Sequence, residues 1–151
     1  MKIYIKLSPQ HGKGVFAEHP IVKGEQVLIF TGPLLRRAEL NERDYHLQIG
    51  ENLYLGPSGE ADDYANHSCA PNTGFGDGLS LVALRDIAQH EEITWDYSTA
   101  IDEEDFQGFP CRCGALDCRN VVRSFRHLHS DDQQRLAAYL LPYLKKKIRE
   151  T

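Results

Sequence analysis

The chain has 151 residues, 41% of them hydrophobic, and this length suits one compact domain that buries a core without disulfide staples. No apolar run is long enough for a signal peptide or a membrane span, so we expect a protein of the reducing cytoplasm that does not contact a membrane. Residues 1–120 carry 10 Lys and Arg against 19 Asp and Glu, a net charge of −9, whereas residues 121–151 carry 7 against 3, or +4. The acidic body disfavours direct binding to nucleic acid and weakly favours a basic peptide as partner.

The first hundred residues predict short strands joined by turns. Strand candidates are IYIKL (3–7), GVFA (14–17) and EQVLIFTG (25–32), and hairpins are predicted for HLQIGENLYLG (46–56) and NTGFGDGLSLVAL (72–84). RAELNERDY (37–45) is the only plausible helix in this half. The pattern therefore predicts a mainly β fold with few helices and lacks the alternating strands and helices of a nucleotide-binding α/β sheet.

Two short segments share a turn pattern. IVKGEQVL (21–28) and IAQHEEIT (87–94) each place an isoleucine before a turn and a glutamate before an apolar strand. The second has His90 where the first has Gly24, and histidine is among the non-glycine residues that tolerate positive φ. We therefore expect His90 to adopt the left-handed conformation.

The C-terminal part predicts a helix docked on the body. Ser130 is a suitable N-cap for DDQQRLAAYLLPYLKKKI (131–148), which has acidic residues in its first turn and lysines near its end. Pro142 should kink or restart this helix. Residues with helical spacing form its apolar face: Leu136, Tyr139, Leu140, Tyr143 and Leu144. A helix that forms a dimer is the alternative.

The four cysteines are divided as one plus three. CRCGALDC places Cys111, Cys113 and Cys118 in a spacing that suits thiolates converging on one ion from a turn. Cys69 is the remaining cysteine, so the simplest closed site is one structural Zn²⁺ held by all four. The alternative is four unrelated buried thiols.

Four motifs together resemble a known family. GKGVFA (12–17), NHSCAPN (66–72), EEITWDYS (91–98) and CRCGALDCR (111–119) stand in the order found in SET-domain protein lysine methyltransferases with a post-SET zinc segment. The chain is similar to small stand-alone members of bacterial or viral type. The resemblance implies a β-clip-like SET fold with a pseudoknot, divided into a SET domain (1–106), a post-SET zinc-binding segment (107–122) and a C-terminal helical extension (123–151).

The resemblance also implies a function and its residues. The reaction would be methyl transfer from S-adenosylmethionine to a lysine of a protein, with histones among the candidates. Tyr97 would orient the amine, and Tyr45 would stand between the cofactor and the lysine channel. The residues implied to contact the cofactor are Gly12, Lys13, Gly14, Tyr45, Asn66, His67 and Tyr97, and the metal ligands are Cys69, Cys111, Cys113 and Cys118.

The chain departs from the family pattern at two places. Asp63 and Tyr64 stand before ANHSC, where many members have a basic residue and then Phe. Trp95 stands where the family usually has Phe or Tyr, in a position that helps to set how many methyl groups fit. Trp95 would either crowd the substrate channel, and so favour few methylations, or tilt away as core packing.

The sequence also permits other interpretations. The acidic run IDEEDFQG (101–108) would lie near the peptide groove and favour a basic substrate, or it is a solvated loop. The alternative function is a catalytically silent SET-like module that binds a basic peptide; a zinc-stabilised nucleic-acid binder would rest on the basic C-terminal part alone. A protein of this kind from a pathogen or virus would act in a host nucleus instead of its own cytoplasm, and the sequence leaves the oligomeric state open.

Overall fold

A computed structural model describes residues 2–10 and 12–150, which form twelve short strands, two α-helices and several 3₁₀ turns. The strands are β1 (Ile3–Leu7), β2 (Lys13–Ala17), β3 (Gln26–Ile29), β4 (Leu34–Leu35), β5 (Leu47–Gly50), β6 (Leu53–Leu55), β7 (Asn66–His67), β8 (Thr73–Phe75), β9 (Ser80–Ala83), β10 (Glu92–Trp95), β11 (Phe109–Pro110) and β12 (Val121–Val122). The helices are α1 (Ser130–Leu136) and α2 (Pro142–Arg149). The predicted class, mainly β with few helices, is confirmed.

The strands form small sheets around one core. Their orders are β1-β2-β10-β7, β3-β9-β8, β4-β6-β5 and β11-β12. In the first sheet β10 runs antiparallel to β2 and parallel to β7, so that Thr94 lies opposite Asn66 and Trp95 opposite His67. This parallel pairing brings two sequence motifs almost thirty residues apart into direct contact.

The predicted turns have the expected backbone. The first hairpin joins β5 to β6 with Asn52 at φ 48°, and the second joins β8 to β9 with Gly78 at φ 62°. His90 has φ 68°, as expected from its match with Gly24 at φ 91°. The two matching segments also contact each other, because Ile21 and Ile87 exchange two backbone hydrogen bonds of 2.8 Å.

The helix predicted for residues 37–45 is wrong. Only Arg37–Glu39 forms a single 3₁₀ turn. The Glu39 carboxylate accepts the Arg36 N–H at 2.8 Å, and the Asn41 side chain accepts the Arg43 N–H at 3.1 Å. The first bond is of the kind that starts a helix, but Leu40 is extended at φ −71° and ψ 137°, and the Arg43 N–H bonds the Asn41 side chain instead of a carbonyl four residues earlier, so the helix does not continue.

The C-terminal helix is docked as predicted, but in two pieces. Pro142 is the first residue of α2, so it restarts the helix. The N-cap of α1 is His129 instead of Ser130, because the His129 Nδ1 accepts the Asp131 N–H at 3.2 Å and the helix begins one residue earlier. The buried side chains of the two helices join the main core: Leu136, Leu140, Leu141 and Leu144. Neither helix, nor any other in the described ranges, has the length and apolar character needed to cross a membrane.

Candidate active site and metal centre

The structure brings the four cysteine sulfurs together. Cys69 follows β7, and the other three lie in the loop between β11 and β12. All four Sγ atoms lie within 4.8 Å of one another, with 3.8 Å between Cys69 and Cys111 and 3.7 Å between Cys111 and Cys118. A tetrahedral Zn²⁺ with Zn–S bonds of about 2.3 Å places its sulfurs about 3.8 Å apart. The donor set therefore fits a closed four-thiolate metal site.

Backbone N–H groups point at these sulfurs. The N–H of Cys69 donates to Cys113 Sγ, that of Arg119 to Cys69 Sγ and that of Asn120 to Cys118 Sγ, each at 3.4 Å. Burial raises the pKa of Cys69 to about 11, whereas at Cys113 the hydrogen bonds outweigh burial and lower the pKa to about 6. A bound cation would favour the thiolate form of all four.

A cavity of about 570 Å³ opens between the cysteine loop and β7. Its size lies in the range of sites that hold small molecules and cofactors. Among the predicted cofactor residues Asn66, His67 and Tyr97 line it. The other lining residues are Gln10, Phe109, Pro110, Cys111, Arg112, Cys113 and Val122. Two of the four clustered cysteines, Cys111 and Cys113, thus form part of the cavity wall.

The GKG segment supports this wall from β2. In the described part of the chain Gly12, Lys13 and Gly14 do not line the cavity, but the Asn66 Nδ2 donates to the Lys13 carbonyl at 3.0 Å. A Cβ on Gly14 would lie 2.5 Å from Glu92 Oε2 and 3.1 Å from Asn66 Nδ2, so a side chain there would displace the Glu92 carboxylate from Asn66. The cofactor role of the three residues stays a prediction.

Glu92 orients Asn66, and the sequence analysis missed it. Its Oε2 accepts from the Asn66 Nδ2 at 2.9 Å, and its Oε1 accepts from the Ser8 hydroxyl at 2.7 Å. The sequence offered one signal, a carboxylate directly before the apolar residues ITW of β10. A carboxylate at that position can also be exposed, and it then needs no partner. Gln10 and Arg112 were missed because loop residues carry no periodic pattern, and Phe109 was missed because the two-residue strand β11 is too short to show one.

A second cavity of about 220 Å³ lies beside the first and is rich in aromatic rings. The aromatic lining consists of Tyr45, Trp95, Tyr97, Phe106 and Phe109, and the remaining lining residues are His46, Leu47, Gln48, Ala100, Ile101 and Glu103. Tyr97 and Phe109 line both cavities. The two spaces therefore adjoin at these two rings, whereas Tyr45, predicted to contact the cofactor, lines the smaller one.

Two hydrogen bonds hold Tyr97. Its hydroxyl donates to the Ala65 carbonyl at 2.9 Å, and its N–H donates to the His67 Nδ1 at 3.0 Å. Burial, with a smaller contribution from Glu92, raises the pKa of Tyr97 to about 12, so the phenol keeps its proton at neutral pH. Burial lowers the pKa of His67 to about 4 against the opposing charge of Asp96, with Arg119 lowering it further, so the imidazole is neutral.

Trp95 is both core and cavity wall. Its side chain is 3% exposed, and its ring centroid lies 5.3 Å from that of Phe30, 5.4 Å from that of Phe75 and 4.7 Å from that of Tyr97. Its indole N–H donates to the Ala65 carbonyl at 3.2 Å, the same oxygen that accepts from Tyr97. The indole therefore narrows the aromatic cavity from a fixed position.

The Tyr45 hydroxyl is buried and has no hydrogen-bond partner among the described residues. Burial raises its pKa well above the usual range. An unpaired buried hydroxyl costs free energy, so its persistence at the wall of a cavity suits a site that receives a polar group.

The residues before ANHSC have structural partners. Asp62 is buried and accepts from the Thr31 N–H at 3.0 Å and the Ser58 hydroxyl at 2.7 Å. Asp63 accepts from the Gly59 N–H at 2.8 Å, and the Tyr64 ring lies 5.5 Å from the Lys13 Nζ. The departure from the family pattern thus fixes the loop before β7.

The acidic run is only partly available to a ligand. Asp102 is buried and bonds the Arg126 guanidinium through both carboxylate oxygens at 3.2 Å, and its carbonyl accepts from the Lys147 ammonium at 3.1 Å. Glu103 lines the aromatic cavity, and Glu104 is 88% exposed. Whether these residues select a basic substrate stays a prediction.

Comparison with known proteins gives the family. The SET domain profile matches residues 12–98, more than half of the chain. Histone-lysine N-methyltransferase trithorax of Drosophila virilis is 33% identical over 131 residues, which cover 74% of this chain and 3% of that protein. The chain thus spans only a small part of this curated relative.

Solved structures give the same fold. The methyltransferase domain of human Histone-lysine N-methyltransferase SETMAR superposes with a TM-score of 0.67 at 22% identity, covering 81% of this chain and 58% of that one. KRYPTONITE, solved in complex with mCHH DNA, H3(1-15) peptide and SAH, superposes with a TM-score of 0.59 at 25% identity, covering 80% of this chain and 29% of that one. From its motifs, its fold and these matches, the chain belongs to the SET domain family.

Proposed function

We propose that this chain transfers a methyl group from S-adenosylmethionine to a lysine side chain of a protein. The observation that carries the proposal is the position of Tyr97, whose ring lines both cavities and whose hydroxyl is fixed on the Ala65 carbonyl. An in-line displacement on carbon needs the donor and the acceptor on opposite sides of the methyl group. Two adjoining cavities supply that arrangement, and holding the partners in line lowers the barrier.

The larger cavity suits the methyl donor. Asn66 and His67 offer polar groups, and Phe109, Pro110 and Val122 offer apolar surface. S-adenosylmethionine would supply an activated methyl group on a sulfonium ion, and its sulfur becomes a neutral thioether when the bond to carbon breaks. KRYPTONITE was solved with SAH, the demethylated form of this donor.

The aromatic cavity suits the acceptor. A lysine must lose its proton to water before its nitrogen can attack, and apolar walls lower the pKa of an amine because they disfavour its charged form. The rings of Tyr45, Trp95 and Phe106 supply such walls. The amine nitrogen then forms the new bond to carbon, and the methylated ammonium carries the positive charge that the sulfonium loses.

Tyr97 positions the reacting groups and does not act as a base. Its pKa of about 12 keeps the proton on the phenol, and that proton is donated to the Ala65 carbonyl. The oxygen lone pairs remain available to accept weak hydrogen bonds from a polarised methyl group. Proton loss from the lysine therefore goes to water.

The peptide would add to the sheet next to this cavity. β5 is an edge strand of the β4-β6-β5 sheet, and its residues Leu47 and Gln48 line the aromatic cavity. An extended peptide can pair with such an edge and insert one side chain beside it. The H3(1-15) peptide bound to KRYPTONITE supports a histone-like substrate for this chain.

The metal centre would be structural. Cys69, Cys111, Cys113 and Cys118 would hold one Zn²⁺, and no ligand position remains for a reacting group. Its role is to fix the loop that contributes Cys111, Arg112 and Cys113 to the wall of the larger cavity.

The test is methyl transfer from labelled S-adenosylmethionine to a panel of basic proteins that includes histones, with Tyr97→Phe in parallel. The variant loses the hydroxyl but keeps the ring, so we expect nearly unchanged donor affinity by calorimetry and transfer lowered about 10²-fold. Tyr4→Phe is the matched control, because its hydroxyl bonds His90 far along the chain at 2.9 Å on the surface.

Two results would change the assignment. Equal transfer by Tyr97→Phe and the wild type would remove Tyr97 from the mechanism. Binding of the methyl donor without transfer to any protein would favour the catalytically silent module. The narrow cavity beside Trp95 could then hold a side chain of a bound peptide without reaction.

A further inference from the structure

Arg119 connects the cysteine cluster to the turn that carries Tyr97. It follows Cys118, and its backbone N–H donates to Cys69 Sγ at 3.4 Å. Its guanidinium Nη2 donates to Asp96 Oδ1 at 2.8 Å and to the Ser98 hydroxyl at 3.4 Å. One residue therefore bonds a metal-binding sulfur and both neighbours of Tyr97.

The contact with Asp96 fixes the local backbone. Asp96 Oδ1 also accepts the Ser98 N–H at 3.0 Å and so caps the 3₁₀ turn Tyr97–Thr99. The Asp96 side chain is 0% exposed and that of Arg119 is 12% exposed. In this buried setting the guanidinium holds the turn by its N-cap Asp96 and its second residue Ser98.

His67 provides a second connection from the same sulfur. Its Nδ1 accepts the Tyr97 N–H at 3.0 Å, so the proton of the neutral ring lies on Nε2. That Nε2 lies 3.4 Å from Cys69 Sγ and donates to it. Cys69 is thus tied to the Tyr97 backbone through His67 and to its flanking residues through Arg119.

The Arg119–Asp96 ion pair is not expected to add much to the free energy of unfolding. Asp96 Oδ2 and the Arg119 Nε and Nη1 are buried without a hydrogen-bond partner among the described residues. A buried pair that leaves polar atoms unsatisfied does not recover the cost of removing both charges from water, and apolar replacements are often neutral or stabilising. The contacts of the pair point instead to the turn that carries Tyr97.

We infer that Arg119 is a positioning residue that makes the placement of Tyr97 depend on the metal centre. The inference rests on the proposed function for its kinetic consequence and on contacts alone for its structural one. With the metal bound and Arg119 in place, the Tyr97 hydroxyl stays on Ala65 between the two cavities. If the metal or Arg119 is absent, the turn that carries Tyr97 relaxes. Tyr97 then no longer fixes the positions of the methyl donor and the lysine relative to each other.

The kinetic test uses three variants. Arg119→Met removes the guanidinium and leaves Asp96 buried and unpaired, so both kcat and stability should fall. Asp96→Asn combined with Arg119→Met removes both charges and keeps an acceptor for the Ser98 N–H, so stability should recover. Arg135→Met is the control, since Arg135 also bonds a carboxylate, that of Asp132 at 2.9 Å, but on the exposed face of α1.

The double variant decides between positioning and structure. If Arg119 positions Tyr97, the double variant regains the unfolding free energy but keeps a kcat about 10–100-fold below the wild type, with one zinc per chain and an unchanged Kd for the donor. Recovery of kcat in step with stability would overturn the inference. Loss of zinc from both Arg119 variants would overturn it too, because the effect would then be on metal retention.

A second readout does not depend on activity. Trp95 is the only tryptophan in the sequence, and its ring centroid lies 4.7 Å from that of Tyr97. Removing zinc with a chelator should shift the fluorescence of Trp95 in the wild type. In Arg119→Met the emission should already resemble that of the chelated protein and change less on chelation.

The two readouts separate the two proposals. A wild type that transfers no methyl group refutes the proposed function, yet the fluorescence still tests whether Arg119 ties Trp95 and Tyr97 to the metal. Identical emission changes in the wild type and Arg119→Met would refute that tie even in an active enzyme.

Discussion

Replacing Trp95 with Phe should raise the number of methyl groups that the chain adds to one lysine. The indole borders the aromatic cavity and is fixed by the Ala65 carbonyl at 3.2 Å. The substitution removes about 40 Å³ of side chain, which at about 24 cal/mol per Å³ of cavity costs about 1 kcal/mol. Ala65 keeps the Tyr97 hydroxyl as a partner, so the lost indole bond adds at most about 1 kcal/mol.

The freed space adjoins the cavity and is comparable in volume with one methyl group. We expect the wild type to stop after few methylations and Trp95→Phe to form more dimethyl and trimethyl product, with an unfolding midpoint lowered by about 2–8 °C. Mass spectrometry of a peptide substrate over time with excess donor measures the product distribution, and a thermal melt measures the stability.

The matched control is Phe75→Leu. Phe75 packs against the same indole, with ring centroids 5.4 Å apart, but does not line the aromatic cavity among the described residues. It should lose stability and leave the product distribution unchanged. A folded, active Trp95→Phe with the wild-type distribution, or an equal change in Phe75→Leu, would refute the argument that the indole limits the space.

Two further predictions concern the metal centre and the response to pH. Cys113→Ser should lower the zinc content well below one per chain and weaken donor binding at least about tenfold, because the loop forms a cavity wall; normal donor binding by a folded, zinc-free variant would contradict this. Hydrogen bonds from Arg85 and the Ala88 N–H outweigh burial and lower the pKa of Glu91 below 4.5. The contribution of Glu91 to the free energy of unfolding is therefore present above pH 4.5 and is lost as the pH falls through the lowered pKa. Glu91→Gln should cost about 0.5–1 kcal/mol of unfolding free energy at pH 7 and progressively less in acid, and a constant difference would refute the assignment.

Local sequence patterns were sufficient for the turns and for the three cysteines of the loop between β11 and β12, whereas Cys69 joins them only through the fold. Asn52, Gly78 and His90 adopt positive φ where the chain must reverse, and that preference belongs to single residues. The cysteine spacing in 111–118 similarly encodes a loop that collects thiolates within a few residues. These features depend on the residues next to them and so can be read without the fold.

Contacts between distant segments could not be predicted in the same way. The Arg119–Asp96 and Arg126–Asp102 pairs join residues 23 and 24 positions apart. The sequence contains many other acidic residues, and nothing in it shows which of them pairs with each arginine. The helix expected in 37–45 is absent because the backbone is extended at Leu40 and the Asn41 side chain takes the Arg43 N–H, a donor that a helix needs. The spacing of apolar residues in 37–45 does not show that a side chain competes for a backbone N–H group.

The burial of the C-terminal helices has a consequence for synthesis. Leu140, Leu141 and Leu144 pack in the same core as strands formed from the first thirty residues, and the Leu141 N–H donates to the Thr99 carbonyl at 2.9 Å. A nascent chain cannot close this core until residue 144 has left the ribosome. Until then apolar faces of the early strands stay open to water, so chaperones should hold the emerging chain for longer than they would hold a domain whose core is complete by its middle.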